Sequence, residues 1–218
     1  MGPFAEATDR RGDIFIVDFP AGDRILMVAA RSGMLFGTRM TAGHIYTVAG
    51  GHYGPARPRG PVPNAVPGTH SGMFPSGAAV DSYGNLVLVT DFRVRVVAER
   101  TGRFYGVAMK AGYIYTIAGP FPGAHAVAVD RQGNILVDDA AASVVRLVAV
   151  RSGTFYGQQV TAGHTYVIAG HQHGPSGLGT GGPATRAWLD GPDALAVAPD
   201  GRLLIAESGG GRIAAVAP

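Results

Sequence analysis

One phrase is written three times in this chain of 218 residues: RSGMLFGTRMTAGHIYTVAG at Arg31–Gly50, RTGRFYGVAMKAGYIYTIAG at Arg100–Gly119 and RSGTFYGQQVTAGHTYVIAG at Arg151–Gly170. The copies align without a gap. Self-similarity of this kind means that one supersecondary unit is reused, each copy burying its apolar faces against its neighbours. It also sorts residues. Those that recur in every copy serve the unit; those that depart from their own repeat are free to serve something else.

The repeat extends upstream of the phrase. Segments beginning PFAEATDRRGDIFIVDF at Pro3, PSGAAVDSYGNLVLVTD at Pro75, AHAVAVDRQGNILVDDA at Ala124 and PDALAVAPDGRLLIAES at Pro192 superimpose on Gly12, Gly84, Gly133 and Gly201. Asp9, Asp81 and Asp130 each open an Asp-x-x-Gly turn, in which the carboxylate bonds the backbone and glycine takes a positive φ. Short Val- and Ile-rich runs flank the turns and read as strands. Each unit is predicted to be a four-stranded antiparallel meander. No stretch has sustained helical periodicity.

Composition narrows the class. With 46% hydrophobic and 15% charged residues the chain is not disordered. Its 34 Gly and 15 Pro lack a Gly-X-Y period and point to turns. No apolar run approaches the ~20 residues that span a bilayer, so no membrane association is expected. The start, MGPFAEATDRRGD, has no signal-peptide core. The expected location is the cytoplasm, or outside the cell after removal of a signal peptide not present in this chain; the absence of Cys fits both. Net charge is +3, and the 18 basic residues are scattered without a stripe, which argues against nucleic-acid binding.

The pattern Pro-x-Gly-apolar-Ala-Val-Asp-x-x-Gly-Asn-apolar-x-Val-x-Asp, followed by Arg and a Val/Ile strand, is matched best by Pro75–Asn85 and Pro192–Arg212. It resembles the NHL-repeat β-propeller family over nearly the whole chain apart from two linkers. The resemblance implies an all-β propeller forming one domain, 1–218, with four blades at about residues 3–50, 75–119, 123–170 and 191–217. The last blade stops after its third strand. Three arrangements follow: a four-bladed unit with one short blade, half a ring completed by a second chain, or a fragment of a longer protein. The first is favoured. The bare edge at Arg212–Pro218 makes a homodimer the expected assembly. The family includes scaffolds, binding modules and enzymes, so fold does not settle function.

The same resemblance places the loops between blades on the ligand face. Two are long, residues 51–74 and 171–190, and carry Phe74, Tyr53, His70, His173 and Trp188, which with Phe4 are the candidate ligand-binding residues. One position near the start of each first strand differs in every copy: Phe4, Ser76, His125 and Asp193. Two residues on, Glu6 stands among Ala78, Val127 and Leu195. Glu6, Ser76, His125 and Asp193 are therefore the candidate catalytic residues. No nucleophile-elbow sequence surrounds Ser76, so a Ser–His–Asp triad is not expected. Asp18, Asp139 and Glu207 share a repeat position, which suggests pairing with arginine. Asp91 and Asp138 are displaced from it by one residue and rank lower as site residues. His44 and His164 recur in a turn, and the FYG aromatics recur at the blade edge; both read as structural.

Some amidating lyases with a similar propeller hold zinc through channel histidines. That pattern is missing here except at His125. No cofactor is expected; a single zinc or copper ion is the lesser alternative and would draw on His52, His70, His171 and His173. The chain has no phosphate loop, dinucleotide fingerprint or cysteine pair. The expected function is a small-molecule site at the channel mouth, in an enzyme acting on a small, mainly apolar, natural-product-like substrate. The chemistry would be cofactor-free acid/base cyclase, isomerase or lyase chemistry, with hydrolysis also open. The alternative is a non-catalytic ligand-binding or protein-interaction scaffold.

Overall fold

A computed structural model describes residues 3–20, 22–51, 64–171 and 181–218. The fold is all-β with four propeller blades, and the only helical segments among the described residues are three single 3₁₀ turns. Backbone contacts divide the chain into two compact units, 1–119 and 120–218, each holding two blades.

Blade 1 comprises β1 (Pro3–Thr8), β2 (Ile14–Asp18), β3 (Arg24–Val28), the small hairpin β4 (Gly33–Leu35) and β5 (Thr38–Met40), and β6 (Ile45–Gly50), in sheet order β1-β2-β3-β6. Blade 2 begins with β7 (Val66–Pro67), then β8 (Pro75–Val80), β9 (Leu86–Thr90), β10 (Arg93–Val97), the hairpin β11 (Gly102–Phe104) and β12 (Val107–Met109), and β13 (Tyr113–Ala118). Blade 3 repeats the plan with β14 (Val127–Val129), β15 (Ile135–Asp139), β16 (Val144–Val148), the hairpin β17 (Gly153–Phe155) and β18 (Gln158–Val160), and β19 (Thr165–Gly170). Blade 4 has three strands, β20 (Pro192–Val197), β21 (Leu203–Glu207) and β22 (Arg212–Val216).

Hydrogen bonds explain the repeat. Asp81 accepts the backbone N–H groups of Tyr83 and Asn85 at 2.8 and 2.9 Å and the Asn85 amide at 2.8 Å, while Asn85 Oδ1 accepts the N–H of Glu99 at 3.0 Å. Asp130 and Asn134 do the same in blade 3, with Val150 as the donor to Asn134. In blade 1 Asp13 replaces the asparagine and accepts from Ala30; burial holds its pKa above the usual carboxylate value. The turn thus ties the first, second and third strands of a blade together. The recurrent FYG sits at the tip of the small hairpin, where Tyr105 and Gly106 both have positive φ, as do Phe36–Gly37 and Tyr156–Gly157. That is the geometry of a two-residue hairpin turn matched to strand twist. The hairpin lies inside the phrase and adds two short strands to the predicted meander. The phenol of Tyr105 donates to Asp81 at 2.8 Å, fastening the hairpin to the opening turn.

Each blade has two faces, and within each unit unlike faces meet. The forward face of blade 1 carries Ala5, Ala7, Phe15, Val17, Ile25 and Met27. It shares a core with the rear face of blade 2, which carries Ala78, Val80, Leu86, Leu88, Val97 and Ile114. In the C-terminal unit the forward residues Ala128, Leu136, Val145 and Leu147 of blade 3 share a core with the rear residues Leu195, Val197, Leu203, Ile205, Ala214 and Val216 of blade 4. All five residues of β9, LVLVT, are buried.

Two expectations change locally. The linker 51–74 is not a free loop throughout: its Val66–Pro67 pairs with Tyr113–Ile114 as a fifth strand of blade 2, covering that sheet's outer edge. The first strand of blade 3, expected from Ala124, begins only at Val127. The donors that would have extended it, the N–H groups of His125 and Ala126, are taken by a side chain on the neighbouring strand.

Candidate functional site

That side chain is Asp138. It lies on β15, in a register position that is Val17, Val89 and Ala206 in the other copies. Its carboxylate is fully buried. Oδ1 accepts the N–H of His125 at 2.8 Å and of Ala126 at 2.6 Å. Oδ2 has no hydrogen-bond partner among the described residues and lies 3.9 Å from His125 Nδ1. The imidazole is about half-exposed, with 48% of its side-chain surface in solvent. Burial pushes the Asp138 carboxyl up to about 6; the two backbone donors and His125 oppose that rise, and the charge of Asp193 adds to it. Asp193 itself is exposed at the start of β20, beside a register shift between Pro192 and Ala194.

The arrangement is a buried carboxylate behind an exposed imidazole, with a second carboxylate close enough to act electrostatically. A histidine whose Nδ1–H faces a carboxylate presents Nε2 as a base. Here the gap of 3.9 Å exceeds hydrogen-bond length.

Of the predicted set, the structure places His125 against Asp138, and Asp193 near enough to Asp138 to act on its charge. The sequence did signal Asp138: it is an ionisable residue where every other copy is apolar, the same departure rule that singled out His125. Its neighbour Asp139 behaves as the repeat suggests, pairing with Arg146 at 2.8 Å. So do Asp18 with Arg24 at 2.9 Å and Glu207 with Arg212 at 2.8 Å. His44 stacks on Tyr46, and His164 Nδ1 lies 3.3 Å from the Ala162 carbonyl, each within its own turn.

The other predicted residues are placed as follows. Ser76 is half-buried, and its hydroxyl donates to the Val89 carbonyl at 3.4 Å, within its own sheet. Glu6 is exposed on the rear face of blade 1, opposite Ile16. Phe4 is exposed and meets Phe19 edge-on at 6.0 Å. Phe74 is half-buried just before β8, and His70 closes a 3₁₀ turn, its Nδ1 3.4 Å from the Thr69 hydroxyl. Trp188 is half-buried, its carbonyl accepting from Arg212 at 2.9 Å. His171 is exposed. Tyr53, His52 and His173 lie outside the described residues. Among the described residues no three His, Asp or Glu side chains converge as a metal site.

The N-terminal unit contains a separate cavity of about 350 Å³, lined by Phe36, Thr38, Thr47, Thr69, Lys110 and Tyr113 among others. It lies between repeat hairpins and holds none of the predicted site residues.

Nearly the whole chain superimposes on solved β-propellers. Virginiamycin B lyase from Staphylococcus aureus matches with a TM-score of 0.51 at 12% identity, over 98% of this chain and 55% of that one. A protein of unknown function from Bacteroides thetaiotaomicron matches with a TM-score of 0.60 at 14% identity, over 98% and 46%. An auxiliary nutrient binding protein from the same species matches with a TM-score of 0.53 at 10% identity, over 98% and 47%. The chain spans about half the length of these structures. No family model matches it, and no curated protein matches it significantly.

Proposed function

We propose that this chain is an NHL-type propeller whose C-terminal unit carries a proton-transfer site for a small, mainly apolar ligand. His125 is the acid/base group, Asp138 the residue that positions it, and Asp193 a second carboxylate at the rim. The observation that carries the reading is Asp138 itself. A buried carboxylate with one oxygen lacking a hydrogen bond weakens a fold. The other three blades form the same strand with Val or Ala in its place. Its cost is accounted for by what it faces, the Nδ1 side of an exposed imidazole.

In the proposed reaction His125 Nε2 removes a proton from a ligand carbon or hydroxyl. Asp138 stabilises the imidazolium, whose ring proton exchanges with solvent, and the ring then delivers a proton to another atom of the same molecule. Such a cycle needs no cofactor and suits isomerase, cyclase or lyase chemistry. The fold neighbours include a lyase, which adds no evidence for this chain at 12% identity but supplies a first probe, virginiamycin B.

The test is incubation of the protein with virginiamycin B and a panel of small lactones, epoxides and enolisable ketones in D₂O. Products are followed by mass spectrometry. The expected result is a compound converted with deuterium uptake. His125→Ala should slow it by about 100-fold or more, the range of general acid–base catalysis. Asp138→Asn should slow it less. Conversion at an equal rate by His125→Ala would place the chemistry elsewhere.

A further inference from the structure

The two terminal blades carry faces built for burial that remain in solvent. In blade 4 the register puts Ala194, Ala196, Leu204, Ala206, Ile213 and Ala215 on the forward face. All six are apolar, and Ile213 is 72% exposed. The rear face of the same sheet is already core. An antiparallel sheet with one wet face alternates apolar with polar side chains. Blade 4 does not, and its strands read like β9 of blade 2, which is buried along its whole length. The rear face of blade 1 is the counterpart. It presents Ile14, Ile16, Leu26, Val28 and Ile45 with Thr8 and Thr47, and one carboxylate, Glu6, at its exposed margin. Ile14 and Ile45 are exposed, as is Phe4 at 58%.

We infer that the forward face of blade 4 stacks on the rear face of blade 1 in a second copy of this chain, giving a head-to-tail dimer. The contact repeats a mode the molecule already uses twice. Forward packs on rear between blades 1 and 2, and again between blades 3 and 4, through residues at the same repeat positions. Forward and rear faces are different surfaces, so the contact is heterologous. It ends at two chains when both ends of each copy are used. The solved propellers onto which the chain maps are about twice its length, matching two copies. The uncovered edge of β22, Arg212–Val216, borders the same interface, so face packing accompanies the edge-pairing expected from the sequence. This inference is independent of the proposed chemistry.

The test uses the chain 1–218. Sedimentation equilibrium at micromolar concentration is expected to give a dimer. Ile213→Lys and, separately, Ile14→Lys should each shift it to monomer with an unchanged circular dichroism spectrum, because both residues are exposed. Orientation is tested by cross-linking, which the absence of native cysteine makes clean. An equal mixture of Ile213→Cys and Ile14→Cys proteins, treated with a short bis-maleimide, should give covalent dimers. Ile213→Cys alone should give none. A monomeric wild-type chain overturns the inference, and that is the outcome if further blades of a longer chain cover these faces instead. An assembly indifferent to both lysine substitutions, or dimers cross-linked by Ile213→Cys alone, overturns it as well.

Discussion

Replacing Asp138 by asparagine keeps the shape of the side chain and removes its titration. The asparagine Oδ1 can still accept from His125 and Ala126, so the backbone bonds persist. In the wild type the carboxyl is pushed from its ordinary value of 3.8 up to about 6. At about 1.4 kcal/mol per pKa unit, carrying its charge costs the folded protein roughly 3 kcal/mol at neutral pH. The sign follows from proton counts. Between about pH 4 and 6 the folded chain holds a proton at Asp138 that the unfolded chain has lost. Stability from this group is complete below the unfolded value, falls as pH rises through about 6, and stays low above it. The amide of the variant does not titrate and has no such loss. The stability of Asp138→Asn relative to wild type should therefore rise by roughly 3 kcal/mol between pH 4 and pH 7.5. Urea unfolding followed by Trp188 fluorescence measures this, since the chain has one tryptophan and it lies half-buried in the same unit. Because the two proteins are subtracted, other carboxylates cancel, including Asp13 and Asp130, which burial also raises. A difference that stays constant with pH would refute the reasoning, for it would mean that Asp138 titrates normally in the fold.

Three further outcomes follow from the same geometry. Asn134→Ala strips the bond to Asp130 and leaves the N–H of Val150 unpaired, and should lower stability by about 2–4 kcal/mol in denaturant titration. Gly123→Ala should be strongly destabilising, with a lowered melting temperature, because a Cβ there meets the backbone nitrogen of Ala141. His125→Ala, His44→Ala and His164→Ala should all melt within about 0.5 kcal/mol of wild type, since all three rings are exposed; only the first should affect turnover.

The blade plan was legible because it depends on local chemistry repeated several times. The Asp-x-x-Gly turn, the acidic residue paired with Arg after the second strand, and the phrase itself each recur at fixed offsets, and each proves to be a hydrogen-bonding device. What escaped was what a single residue does to a single blade. The shortened first strand of blade 3 follows from Asp138 reaching across to two backbone N–H groups, a contact visible only once the register is known. The fifth strand of blade 2 comes from Val66–Pro67, two residues with no periodicity of their own in a Pro- and Gly-rich linker. Ser76 departed from its repeat as His125 did, yet its hydroxyl bonds the Val89 carbonyl of its own sheet. Departure from a repeat marks where a blade differs; burial and partners decide whether the difference is chemical.

The central claim is that Asp138 sets the orientation of His125 for proton transfer. Long-range ¹H–¹⁵N correlation of the His125 ring at pH 8.5 reads its tautomer directly. The expected result is a proton on Nδ1 and a bare Nε2 in the wild type, with that preference lost in Asp138→Asn. A ring protonated at Nε2 in both proteins would contradict it.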